Sequence, residues 1–147
     1  MSREIHHILV PTDGSDSSLA AAEFAAALAR GTGAKVTAVI VHAEEIVPAL
    51  AWNATLPVEQ VKAKYESELA GTALADTRRA LGDLSPEPEL HQYWGHPAES
   101  ICALAKELDV DLIVMGSHGR SAVGRVVLGS VSNAVVQRAP CAVTVVR

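Results

Sequence analysis

The chain has 147 residues, a formal net charge of −5, 49% apolar residues and only 3% aromatic ones. That length predicts one domain over residues 1–147, and the composition an aliphatic, Ala- and Val-rich core of the kind layered α/β structure uses. The acidic balance argues against a general binder of nucleic acid or anionic membrane, and no apolar run approaches the roughly 20 residues that span a bilayer.

MSREIHHILVP has neither the apolar stretch nor the cleavage site of a secretory signal, so a cytoplasmic location is expected. Residues 5–12, IHHILVPT, predict a short buried strand ending near Pro11, and DGSDSS supplies turn formers and N-cap candidates. SLAAAEFAAALARGTG predicts a helix. Leu19, Phe24 and Leu28 recur at helical spacing, the alanines allow close packing on a sheet, and Gly31 or Gly33 ends it. Residues 35–42, KVTAVIVH, read as a parallel strand covered on both faces. Pro48, Pro57 and a lack of periodicity mark residues 44–57 as a long loop. Residues 58–81 predict a helix with Val61, Tyr65, Leu69, Leu74 and Leu81 facing inward. A third strand, PELHQYW at 88–94, ends at Gly95, and Pro97 opens a helix carrying Ile101, Leu104, Ala105 and Leu108 on one face. DLIVMG at 111–116 is a fourth strand, a helix begins near Ser130, and CAVTVVR at 141–147 is a fifth strand. Cys102 and Cys141 lack metal-ligand spacing and read as buried, reduced thiols.

Alternating strands and helices predict a doubly wound, five-stranded parallel sheet with right-handed crossovers and helices on both faces. Such a sheet takes ligands outside the carboxyl ends of its strands, where strand order reverses. If the first and fourth strands are neighbours, Asp13 and Gly116 emerge into one crevice.

MGSHGRSAVGRVVLGSVSNAVV, residues 115–136, holds Gly116, Gly119, Gly124 and Gly129 between apolar segments. Glycines allow close backbone approach and positive φ, so main-chain N–H groups can converge with a helix N-terminus on an anion, phosphate above all. Ser130 and Ser132 add hydroxyls there, and Arg120 or Arg125 could add charge. The same glycines also suit ordinary sharp turns. From Leu112 onward the chain has four arginines and no carboxylate, leaving −9 on residues 1–111. That contrast fits a small anionic ligand, and it fits equally a core that excludes carboxylates. Neither the P-loop pattern, which needs a Lys, nor G-x-G-x-x-G is present.

Gly116-x2-Gly119-x9-Gly129-Ser130, with VPTDGSDSS after the first strand, resembles the nucleotide-binding branch of the universal stress protein family along essentially the whole chain. The resemblance implies strand order 3-2-1-4-5 and ATP at the ends of the first and fourth strands, and Mg²⁺ is expected to accompany the ATP. The resemblance further implies that Asp13 contacts adenosine, that Pro11 and Thr12 shape the pocket, and that the Val41 main chain meets adenine. Met115, Gly116, Gly119, Gly129, Ser130, Val131 and Ser132 would line the ribose and phosphate region. On physical grounds Asp13 would repel a triphosphate, so it fits an acceptor for a ribose hydroxyl or an amino group. With Ser15 and Asp16 it also fits simple helix N-terminus chemistry.

The six histidines form no metal-ligand spacing. His96 and His118 lie at strand carboxyl ends, and His118 is a candidate phosphate neighbour. Glu44 and Glu45 could hold Mg²⁺ through water or be merely solvated, and Trp52 could cover a ligand or pack on its own domain. The last strand is an apolar edge until Arg147, which predicts a homodimer through residues 141–147, as the family resemblance also implies. With no P-loop lysine, positioned base or metal cluster, no catalytic residue is assigned and at most slow ATP hydrolysis is expected, in a regulatory or protective role. The alternatives are an adenylyl-transferring or ATP-pyrophosphate-cleaving enzyme of a related fold, and a nucleotide-independent interaction module.

Overall fold

The computed structural model describes residues 3–118 and 128–147. Five parallel strands, β1 (His7–Pro11), β2 (Lys35–Ala43), β3 (Glu89–Gly95), β4 (Leu112–Gly116) and β5 (Ala142–Val146), form one sheet in the order β3-β2-β1-β4-β5. Order reverses between β1 and β4, which pair in parallel through Ile8 with Leu112 and Leu9 with Ile113. The expected doubly wound fold is therefore present.

β1 is short and almost wholly buried because both its faces are covered. Ile8 and Val10 face one helix layer, Leu9 the other, and all three have no exposed surface. Burial of such side chains stabilises the fold by about 1.5–3 kcal/mol each. The first layer is α1 (Asp16–Thr32), with α4 (Gly71–Leu81) beside it; the second is α5 (Pro97–Glu107) with α6 (Ser130–Arg138).

α1 begins at Ser15, whose hydroxyl accepts from Ser18 N, and ends at Gly33, whose φ of 76° a side chain would disfavour. Its alanines pack closely on the sheet, as expected. Ala21, Ala22, Ala25, Ala26 and Ala29 face the sheet, whereas Phe24 is 44% exposed on the opposite side. Close approach of helix and sheet selects the small residues for the contact, and the larger Leu28 flanks it.

Residues 44–57 are not wholly a loop. A 3₁₀ turn, Glu44–Ile46, leads into the short helix α2 (Val47–Ala51), where Pro48 occupies the first turn and its missing N–H breaks no helical bond. The expected helix over 58–81 is α3 (Val58–Tyr65), a π-helical turn at Glu66–Ala70, and then α4. Val61 and Leu81 are buried there, and Tyr65 and Leu74 half-buried; the Leu69 side chain lies outside the described residues. No described helix is long and apolar enough to cross a membrane.

Candidate functional site

Beyond β1 the chain must turn sharply to start α1. Thr12 N donates to Val39 O at 2.9 Å, which ties the last step of β1 to β2. Gly14 then adopts a φ of 79°, a left-handed conformation that favours glycine. Asp13 Oδ1 accepts from Ser15 N at 2.9 Å, so part of this carboxylate does serve the approach to α1.

The end of β4 is built by close approach. A side chain on Gly116 would place its Cβ 2.7 Å from the carbonyl carbon of Ser17 and 2.8 Å from its oxygen. Past it, Ser117 O accepts from Gly129 N at 2.7 Å and from Ser132 Oγ at 2.9 Å, which fastens the start of α6 to the end of β4. Gly129 has an ordinary φ of −62°, and a Cβ there would lie 3.2 Å from Ser117 O. Positive φ is thus not what favours glycine at 129, and at 116 close approach of the Ser17 backbone is what requires it; at 129 a side chain would meet Ser117 O more closely than ordinary contact.

Between these ends lies a crevice of about 260 Å³. It is lined by Pro11, Thr12 and Asp13 after β1, Val41 on β2, Met115 and Gly116 on β4, and Gly129, Ser130, Val131 and Ser132 at α6. Ser18, Val39, Pro97, Ile101 and His118 complete it. Of the residues expected from sequence, Gly119 and Arg120 lie outside the described residues, as do Gly124 and Arg125, and all the others line this one space. Ser18, Val39, Pro97 and Ile101 were not anticipated. The alternation of Val39 and Val41 along β2, and the i, i+4 spacing of Pro97 and Ile101 along α5, are the signals that could have found them.

One side of the crevice is apolar, with Val39, Val41, Ile101, Met115 and Val131 on it. Val39 O points at β1, where Thr12 N meets it; Val41, two residues on, presents its main chain on the same side, beyond the last residue that β1 pairs. That edge can hydrogen-bond a flat heterocycle. Opposite, the first N–H groups of α6 have no partner within the helix and mark its positive end, so this end can accept an anion. Ser132 differs from expectation: it is 3% exposed and its hydroxyl donates to Ser117 O, so its hydrogen is not available to a ligand. Ser130 is exposed. His118 Nδ1 lies 2.9 Å from Ser117 Oγ, which fixes the ring against the end of β4.

The other candidates fall elsewhere. Glu44 pairs with Lys62 at 3.5 Å and Glu45 with His96 at 3.1 Å. Among the described residues no group of three or more His, Cys, Asp or Glu could hold a metal ion. Trp52 is 83% exposed and lines no part of the crevice, so it neither covers the site nor packs on the domain. Cys102 and Cys141 are free thiols, half-buried rather than buried, and burial raises the pKa of both.

Sheet order and crevice together define a doubly wound α/β protein with a ligand-sized cleft at its switch point. The family model described as the universal stress protein family matches residues 4–147, and the chain belongs to that family. It is 39% identical over 140 residues to the universal stress protein in the QAH/OAS sulfhydrylase 3′ region of Thermus aquaticus, covering 95% of this chain and 97% of that one. Among solved structures it is similar to universal stress protein UspA from Lactobacillus plantarum, with a TM-score of 0.79 at 30% identity over 99% of this chain and 100% of that one. It is also similar to a universal stress protein crystallised in complex with cAMP, with a TM-score of 0.65 at 26% identity over 99% and 98% of the two chains.

Proposed function

We propose that this protein binds an adenine nucleotide, ATP with Mg²⁺, in the crevice at the ends of β1 and β4, and acts as a cytoplasmic, nucleotide-dependent regulatory homodimer with at most slow hydrolysis. The observation that carries the reading is the convergence on one crevice of three complementary features: the Asp13 carboxylate, the Val41 main-chain edge and the N-terminus of α6. A base would lie along the apolar side against Val41, Asp13 would accept from a ribose hydroxyl, and the phosphates would face Gly129 and Ser130. The solved relative in complex with cAMP supports an adenine nucleotide in this fold. Mg²⁺ would be held chiefly by the phosphates and water, a common arrangement for that ion. Dimerisation would use β5, which lies at an edge of the sheet.

The test begins with freshly purified protein: denature it, identify any released nucleotide by chromatography, and titrate ligand-free protein with ATP and Mg²⁺. Bound adenine nucleotide, or micromolar affinity lost in Gly129→Val while that variant keeps its fold, is the expected result. The absence of both carried nucleotide and measurable binding would overturn the reading.

A further inference from the structure

Behind the crevice, three hydroxyls on separate elements meet. Thr12 Oγ1, just past β1, lies 2.9 Å from Thr77 Oγ1 on α4 and 3.1 Å from Ser18 Oγ on α1. Each hydroxyl has a single hydrogen to give. Two of the three are committed, because Thr77 donates to Ala73 O at 2.7 Å and Ser18 donates to Ser15 O at 2.9 Å. The one Thr12 hydrogen is therefore shared between two acceptors, Thr77 Oγ1 at the shorter distance and Ser18 Oγ, and its lone pairs are left for Gly14 N, which donates to Thr12 Oγ1 at 3.3 Å. Thr77 is fully buried and Thr12 is 7% exposed, so a lost partner here is not simply replaced by water.

This direction of donation links α4 to the mouth of the crevice. Asp13 sits between Thr12, anchored by its side chain, and Gly14, anchored by its N–H. Among the described residues α4 contributes nothing to the crevice lining, yet it supplies the acceptor that orients Thr12. We propose that Thr77 is a positioning residue for the site: by accepting from Thr12 it holds the hydroxyl that anchors Gly14, and so sets the turn that presents Asp13. The ligand-binding part of this inference rests on the nucleotide reading of the crevice; the part concerning the turn does not.

The test uses Thr77→Val, which replaces the hydroxyl by a methyl of the same shape, and Thr77→Ser, which restores it. In ligand-free protein, Gly14 amide exchange should quicken about three- to tenfold in Thr77→Val and return to the wild-type rate in Thr77→Ser. The Gly33 amide, bonded to Ala29 O at 2.8 Å in α1, is the internal control and should not change. ATP should bind Thr77→Val about three- to tenfold more weakly, and Thr77→Ser like wild type. In an Asp13→Ala background Thr77→Val should cost no further affinity, whereas a general loosening of the fold would act with or without Asp13. Unchanged Gly14 exchange in folded Thr77→Val, or an affinity loss that persists without Asp13, would overturn the proposal. If wild-type protein binds no ATP, the nucleotide reading fails and the exchange measurement alone decides the role of Thr77. Thr77→Ala provides the same comparison should the valine methyl prevent folding.

Discussion

Ser17 occupies the space beside Gly116: its carbonyl carbon lies 2.7 Å from where a Cβ on residue 116 would sit. The first turn of α1 thus rests directly on the end of β4, and a glycine that belongs to a ligand-binding pattern also carries a packing duty. Gly116→Ala must displace backbone rather than a flexible side chain, and a loss of about 1–3 kcal/mol in stability is expected. Gly95→Ala is the contrast, because the nearest atom there is Ser100 Oγ at 2.6 Å, which can rotate away. Urea unfolding of both variants checks this. Equal stabilities would show that Ser17 yields easily.

Asp13 has a structural bond and, under the proposed function, a ligand bond, and two substitutions separate them. Asp13→Asn keeps an oxygen for Ser15 N, now 2.9 Å from Oδ1, and removes the charge; Asp13→Ala removes both. A charge-assisted hydrogen bond contributes about 1.5–3 kcal/mol, so Asp13→Ala should weaken ATP binding roughly tenfold to a hundredfold. Asp13→Asn should lose affinity while keeping wild-type thermal stability without ligand. Calorimetric titration and thermal unfolding measure the two effects, and undiminished affinity in both variants would remove Asp13 from the site.

The proposed dimer makes a separate demand on β5. Val143 packs on the core beneath α5 and α6, so a charge there tests the fold of the monomer as much as the edge. Val145→Lys is the better probe. It lies two residues on, nearer the end of the edge strand, is partly buried like Val143, and is not among the side chains packed on the core cluster. An ammonium there should oppose pairing of two copies at micromolar concentration and leave each folded. Sedimentation velocity should give a monomer for Val145→Lys; an unchanged dimer would place the interface elsewhere.

How far the sequence reveals this protein depends on what each residue's neighbours are. The strands, their alternation with helices and the glycine pattern are local, and they lead to the sheet and to the residues around the crevice. The reason for Gly116 is not local: it depends on Ser17, which sequence places on another element about a hundred residues away. The close packing of the α1 alanines on the sheet is legible in their number; that Phe24 lies away from that contact is not, because helical spacing alone does not say which face the sheet takes. Ser132 lines the crevice as expected, but that its hydroxyl donates to Ser117 O is not legible, because only the folded chain brings that partner near. Thr77 carries no motif at all. Its importance follows from two hydroxyl hydrogens being committed elsewhere, which is a property of geometry.

At the opposite end of the sheet from the crevice, Asp111 ties β1 to the start of β4. Its Oδ2 accepts from His6 N at 2.8 Å and from His7 N at 3.0 Å, while its own N–H donates to His7 O at 3.0 Å. The His6 N–H above all, then that of His7, holds the carboxyl below its usual pKa, against the opposing effect of burial. A carboxylate with a lower pKa folded than unfolded stabilises the protein above the unfolded value, roughly 3.9, and loses that contribution as pH falls through the folded value. Because the group is partly exposed, its contribution should stay below about 1 kcal/mol. Asp111→Asn keeps an acceptor and abolishes the titration, so wild type should be the more stable protein at pH 7 and the gap should close as pH falls below the unfolded value, about 4, and through the lower folded one. Urea midpoints across that range provide the measurement; a gap that stays constant from pH 7 to pH 2 would mean that the pKa of Asp111 does not change on folding.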